Sequence, residues 1–355
     1  TSAIFGLVQY FGAAASWWPV VNGADAGHAY ANLRQPNLFA TLCWLGGGVV
    51  LWGMPQLPIA MRGLLLAILA AGCAASVSRT GLVQAHVLLV LAAAWNDGQR
   101  RDRLLLCSVG LVAYFCAALL LPEVLQASSG VEPARTLAAR LGNGEGCSGR
   151  LVLWANVLDL IAQRPWTGWG WGELDYAHYL HLYDGDRFCD ILDNAHNLPL
   201  HLAVELGVPA ALLLVGGGVA WAWGKKPWAE RDRTRQLGWV LLALLLVHSL
   251  VEYPLWYGPF QVVAGAAIGW LLPPSMKPGV SRLRGAVLGI LLLLATGYAC
   301  WDYARVSQIY LEPEERHVAW ADDTLHHVRR SWLFAGQAGF ADLTLATVTR
   351  ENAAR

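Results

Sequence analysis

The sequence predicts an all-α polytopic membrane protein, with about eight or more transmembrane helices and one large loop on the outer side. Three observations predict it. Of 355 residues, 56% are hydrophobic and 14% charged, where a soluble domain carries about 25% charged residues, and the mean hydropathy is +0.41. The apolar residues fall in long runs rather than spreading evenly. Eighteen tryptophans suit a chain with many bilayer interfaces, where indoles settle at headgroup level. A net charge of zero makes no case for nucleic acid.

A spanning helix needs roughly 20 apolar residues. The runs predict spans at 37–54, 58–76, 80–96, 104–121, 198–223, 237–254, 259–273 and 284–303, and residues 1–10 read as the tail of another. The chain begins at Thr1 inside an apolar stretch, with no n-region or cleavage site, so further helices are expected upstream. Short loops carry the orientation signal. The connections 96–103, 224–235 and 276–284 are basic, and Arg62 flanks its span. Placing all four in the cytoplasm gives one consistent alternation. Residues 11–36, the SVSRTG turn around Arg79, the loop 122–197, the YPLWYG turn and the tail then face outward. This divides the chain into N-terminal spanning helices (1–121), an outer loop (122–197), C-terminal spanning helices (198–303) and a small helical tail (304–355).

The outer loop is ordered. LVLWANVLDLIAQ (151–163) is apolar at helical spacing and predicts an amphipathic helix at the membrane surface. A run of alternating glycines and aromatics follows. Cys147 and Cys189 lie in this loop, and an oxidising compartment predicts a disulfide between them. The other cysteines sit in apolar spans, as small core filler.

Several polar residues stand out. Arg79 closes a span at the outer surface, either as an interfacial anchor or as part of a site. Arg150 opens the loop helix, where a guanidinium fork fits phosphate oxygens or a lipid headgroup. His196 sits where the loop re-enters the membrane, with the chemistry to accept a proton near neutral pH. Asp193, three residues earlier, is the expected carboxylate that orients it. Asn197, His201 and Glu205 follow at four-residue spacing, lining a cavity or bonding neighbouring helices. His248 and Glu252 repeat that spacing near another outer helix end, beside Tyr253, Trp256 and Tyr257, which suit sugar stacking or an interface belt. DGD (184–186) comes nearest to a metal motif, and no metal is expected.

At GRLVLWANVLDLIAQRPWTGWGWGEL and NAHNLPLHLAVELGVPAAL the chain resembles the O-antigen ligase/Wzy-C superfamily. YANLRQPNLFATL (30–42) and HSLVEYPLWYGPF (248–260) resemble its pilin-glycosylating, PglL-type protein O-oligosaccharyltransferases, and SRTG (78–81) matches a basic motif of the superfamily. The resemblance implies a GT-C-like membrane glycosyltransferase. It would move a glycan from undecaprenyl pyrophosphate to a hydroxyl of a pilin or other protein, or of lipid A-core, inverting the anomeric carbon without a metal or cofactor. It places Arg79 and Arg150 on the pyrophosphate and His196 at the reacting hydroxyl, with Asn197, Gln35 and Asn37 at further motif positions. Polymerisation of repeat units is an alternative reaction. A transporter of the same lipid is the non-enzymatic alternative, but transporters pair similar halves around midplane polar groups, whereas here the polar groups gather at one surface.

Overall fold

The computed structural model describes residues 1–17, 20–132, 146–272 and 282–345. Regular structure among the described residues is helical, without strands. The chain divides into two units, Thr1–Pro273 and Pro274–Arg355.

In the first unit, α1 (Ser2–Tyr10) lies against α3 (Ile59–Ala75), where a Cβ on Gly72 would come within 2.9 Å of Ala3. Gln35 caps α2 (Pro36–Gly48) by accepting the Leu38 N–H. The apolar run continues past α2 as a π turn, Val49–Gly53, which leaves carbonyls for the buried Arg62 guanidinium; it donates to Val50 and Leu51 at 3.2 and 2.9 Å. α4 (Arg79–Ala94) and α5 (Arg100–Ser129) complete the N-terminal helices. The helix predicted to stop near residue 121 runs on through Pro122 to Ser129. One apolar core joins these helices to α10 (Arg233–Ser249) and α11 (Gly258–Leu271), with Trp44, Leu66, Leu88, Leu106, Leu241 and Leu271 buried in it.

The run predicted as one span at 198–223 is two helices, α8 (Leu198–Leu206) and α9 (Val208–Lys225). Gly207, at φ +86°, breaks it, and a Cβ there would stand 2.4 Å from the Trp166 carbonyl oxygen. By length and composition, Arg100–Ser129 and Val208–Ala229 are long and apolar enough to cross a membrane, while Ile59–Ala75, Arg79–Ala94 and Gly258–Leu271 are shorter apolar helices. α9 buries Ala211 and leaves Leu212, Leu213, Leu214, Val219 and Trp223 exposed. Such a helix is at home in hydrocarbon, where exposed apolar side chains carry no penalty.

Polar contacts collect at the two ends of these helices. At one end Trp95 donates to the Pro227 carbonyl (2.7 Å), Arg103 bonds Asp97 (2.5 Å) and Gln236 (3.4 Å), and Arg235 reaches the Trp270 carbonyl (3.1 Å). The basic connections 96–103 and 224–235 therefore meet there; most of 276–284 lies outside the described residues. The other end carries the chemistry considered below.

The loop predicted at 122–197 is described at 122–132, where it continues α5, and again from Gly146 onward. A Cys147–Cys189 disulfide closes it, with Cα atoms 5.6 Å apart. α6 (Arg150–Gln163) buries Leu153, Val157 and Leu160, one helical stripe, against α7 (Leu174–Leu180), Phe188, Leu192 and Val204 of α8. Leu151 and Leu158 remain exposed on its other side.

In the second unit, α12 (Arg282–Val306) leads through 3-10 turns to α13 (Thr324–Val328) and α14 (Ala335–Leu345). The buried Asp302 carboxylate organises it, accepting from Arg305, from the Ser331 hydroxyl (2.8 Å) and from the Leu333 N–H (3.3 Å).

Candidate functional site

The chain places a buried carboxylate where three distant segments meet. α10 ends at Ser249, and Glu252 lies in the turn beyond it, with its side chain 6% exposed. One carboxylate oxygen accepts from the Arg150 guanidinium and from the Asn37 amide, the latter at 3.0 Å. The other oxygen meets His196 Nδ1 at 2.8 Å. A carboxylate this buried persists only when charged and polar groups replace its water. Burial pushes Glu252 up, and the His196 and Arg150 contacts outweigh it, holding the carboxyl below its ordinary range.

Each partner is itself positioned. Asn37, in the first turn of α2, accepts the Ser78 hydroxyl at 2.7 Å; Ser78 in turn caps α4, taking the Gly81 N–H at 3.2 Å. Arg79 is the first residue of α4, so it enters beside this chain of bonds. A Cβ on Gly81 would stand 2.5 Å from Cys73 Sγ, which explains the glycine of SRTG by close packing. Arg150 opens α6, held three residues from the disulfide, and its side chain is 30% exposed. That leaves part of the side chain open beyond the Glu252 contact.

His196 has φ +49°, a left-handed conformation that L side chains seldom adopt. Two neighbours hold it there. The Asn194 side chain accepts the His196 N–H at 2.9 Å, and Asn197 caps α8 by accepting the Leu200 N–H (3.1 Å) while donating to the Leu250 carbonyl (2.9 Å). The Tyr253 ring meets the imidazole edge-on at 4.7 Å. Backbone strain of this kind concentrates at functional positions because the surroundings must enforce it.

The geometry thus gathers Arg150, His196, Glu252, Asn37, Asn197 and Tyr253, with Arg79 entering next to Ser78. Other expected residues fall elsewhere. The carboxylate on His196 is Glu252, and not Asp193 as the three-residue spacing suggested; Asp193 is exposed, and the left-handed turn at His196 aims the ring towards α10. Gln35 is a helix cap. His248 is fully buried, with Nδ1 2.8 Å from the Thr41 hydroxyl, which also contacts Gln84. His201 and Glu205 pack beneath Trp171 and Trp256. Ser78, Thr41, Gln84 and Trp171 escaped the sequence reading. For Ser78, a serine directly before a helix was the available signal.

The glycine run explains how the loop seats α8. Trp169 and Gly170 donate to the Val204 and Glu205 carbonyls at 2.9 and 3.0 Å, and Val208 donates to Pro165 at 2.8 Å. At Gly168, φ +67°, a Cβ would stand 2.3 Å from the Glu205 carbonyl oxygen. Gly168 and Gly207 therefore allow two backbones to touch.

Residues 64–215 match the family described as O-Antigen ligase, and residues 236–355 match the family described as virulence factor membrane-bound polymerase, C-terminal. Arg79, Arg150 and His196 lie in the first stretch, Glu252 and Tyr253 in the second. A protein of Acinetobacter baylyi named general O-oligosaccharyltransferase is 27% identical over 288 residues, which cover 74% of this chain and 48% of that protein. The chain spans about half the length of this curated relative. No solved structure matches the chain. These matches bear out the resemblance read from the sequence, and they agree with the apolar helices in marking a membrane protein.

Proposed function

For a membrane chain that carries the O-antigen ligase match, we propose that the reaction is transfer of an oligosaccharide from undecaprenyl pyrophosphate to a hydroxyl on a periplasmic acceptor. The acceptor in this reading is Ser or Thr of a pilin or other protein. One observation carries it: a single buried carboxylate, Glu252, binds both Arg150 and His196. With Nδ1 held as the donor to Glu252, Nε2 is the nitrogen left to accept a proton. The acceptor oxygen attacks the anomeric carbon and its proton passes to Nε2. The carbon–oxygen bond to the pyrophosphate breaks, and the electron pair leaves with undecaprenyl pyrophosphate. Glu252 then faces an imidazolium, which its charge stabilises. Arg150, whose side chain is partly open, offers its guanidinium to the leaving pyrophosphate, joined by Arg79. Attack opposite the leaving group inverts the anomeric carbon, and no step calls on a metal.

The architecture that goes with this reading is GT-C-like. Eight or more spans cross the inner membrane, the basic end lies in the cytoplasm, and the Glu252 end opens to the periplasm. The exposed apolar face of α9 and the separation of polar groups to two helix ends support it.

The test is transfer from a labelled lipid-linked glycan by the purified protein in detergent, with and without His196→Ala, at matched expression. A pilin peptide, a lipid A-core fragment and no added acceptor form three arms. We expect His196→Ala to abolish transfer; full activity in that variant rejects the role. Two further readings have specific support. The match of residues 236–355 favours polymerisation, which would lengthen the glycan on its carrier without added acceptor, and the match of residues 64–215 favours ligation onto lipid A-core.

A further inference from the structure

Beside the catalytic groups two indoles lie open to solvent in a fixed mutual orientation. Trp171 and Trp256 are 61% and 41% exposed, with ring centroids 6.1 Å apart and planes within 13° of parallel. Neither is loosely held. The residues flanking Trp171 are pinned, because Gly170 donates to the Glu205 carbonyl and Gly172 to the Glu205 carboxylate, both at 3.0 Å. Trp256 closes the 3-10 turn Pro254–Trp256, where its N–H donates to the Tyr253 carbonyl at 3.1 Å. That short turn ties the indoles to the reaction centre: Tyr253 meets the His196 ring at 4.7 Å and Trp256 meets the His201 ring at 4.9 Å.

Beneath the indoles lies a polar pair with unmet hydrogen-bonding capacity. His201 and Glu205 are 2% and 1% exposed, and their facing atoms, Nε2 and Oε2, are 3.5 Å apart. His201 Nδ1 and Glu205 Oε2 are both buried without a hydrogen-bond partner. Indoles serving a bilayer belt need neither a fixed mutual geometry nor ionisable groups beneath them. A pyranose ring makes use of both kinds of group. Its C–H face stacks on an indole, and its hydroxyls donate and accept around the rim.

We propose that Trp171 and Trp256 form a carbohydrate platform that holds the glycan of the lipid-linked donor, with His201 and Glu205 serving its hydroxyls. The proposal rests on the transferase reading above and deepens it by naming what the aromatic face binds. Such a platform positions the sugar so that its anomeric carbon stays at His196 while the lipid tail leaves towards the helices.

The test uses the full-length protein in detergent and two probes: undecaprenyl pyrophosphate carrying an N-acetylglucosaminyl disaccharide, and undecaprenyl pyrophosphate alone. Wild-type protein should bind the sugar-bearing lipid more tightly. Trp171→Ala and Trp256→Ala should each weaken that binding by about three- to tenfold and leave the bare carrier unchanged, the scale expected for one aromatic stacking contact. Trp171→Phe, which keeps a ring and guards against a folding defect, should retain most of the affinity. Equal weakening for both lipids, or no change for either, overturns the platform. Failure of the transferase reading is distinguishable. If the indoles discriminate between the two lipids but wild-type protein transfers to no acceptor, the platform stands and the reaction falls. If wild-type protein transfers glycan and the indole variants bind it normally, the reaction stands and the platform falls.

Discussion

Glu252→Gln isolates the charge at the centre of the site while nearly preserving its shape. In the wild type one carboxylate oxygen accepts from Arg150 and Asn37, and the other receives the proton of His196 Nδ1 at 2.8 Å. Glutamine keeps one acceptor oxygen for Arg150 and Asn37, but its amide must face the imidazole. An amide N–H forces Nδ1 to accept, so the imidazole proton moves to Nε2 and the base is lost. Loss of a general base is worth about 10²–10⁴-fold, and the same tautomer error in a serine protease triad costs about 10⁴-fold. The expected outcome is a fall of about 10²–10⁴-fold in single-turnover transfer at saturating donor and acceptor, with donor affinity little changed. Stability offers an independent reading. The folded chain holds Glu252 below the ordinary carboxylate range, so its contribution is complete above that range and is lost as pH falls through the lowered value. Thermal unfolding of the wild type should therefore show an acid-sensitive component that Glu252→Gln lacks. At neutral pH the variant should be less stable, by about 1–3 kcal/mol for a buried hydrogen-bonded charge. Turnover within about threefold of wild type, in a folded Glu252→Gln protein, refutes the assignment of Glu252 as the group that sets the His196 tautomer.

Arg150→Lys keeps the charge but loses the planar fork; donor KM should rise about tenfold or more, with acceptor KM steady, and unchanged donor KM argues against phosphate recognition by Arg150. Gly168→Ala and Gly207→Ala each place a Cβ within 2.4 Å of a carbonyl oxygen at a positive φ, so each should destabilise the protein by about 2 kcal/mol or more, seen as earlier proteolysis in residues 146–197. Breaking the disulfide by Cys147→Ser removes a closure across a 42-residue separation, worth about 4 kcal/mol in the chain-entropy account; a lowered thermal midpoint that reductant does not lower further is the expected result.

The apolar runs determined by themselves that the described chain is helical, because a helix satisfies its own backbone wherever water is scarce. The spacing of basic loops anticipated which connections would meet, and Trp95, Arg103 and Arg235 meet at one helix end. His196 and Arg150 were legible because they stand in a recognisable loop. Their shared partner was not. Glu252 lies 56 residues from His196, 102 from Arg150 and 215 from Asn37, and the sequence marked it only by its four-residue spacing from His248. Sequence proximity favoured Asp193, but proximity along a chain says nothing about where a ring points after a left-handed turn. The break at Gly207 was hidden for a like reason, since its cause is the Trp166 carbonyl pressed against it from another segment. Hydropathy and charge are properties each residue brings with it, and so they survive in the bare sequence. Burial of one carboxylate against a distant guanidinium and a distant imidazole is a property of packing, and only the folded chain brings those atoms within hydrogen-bond reach.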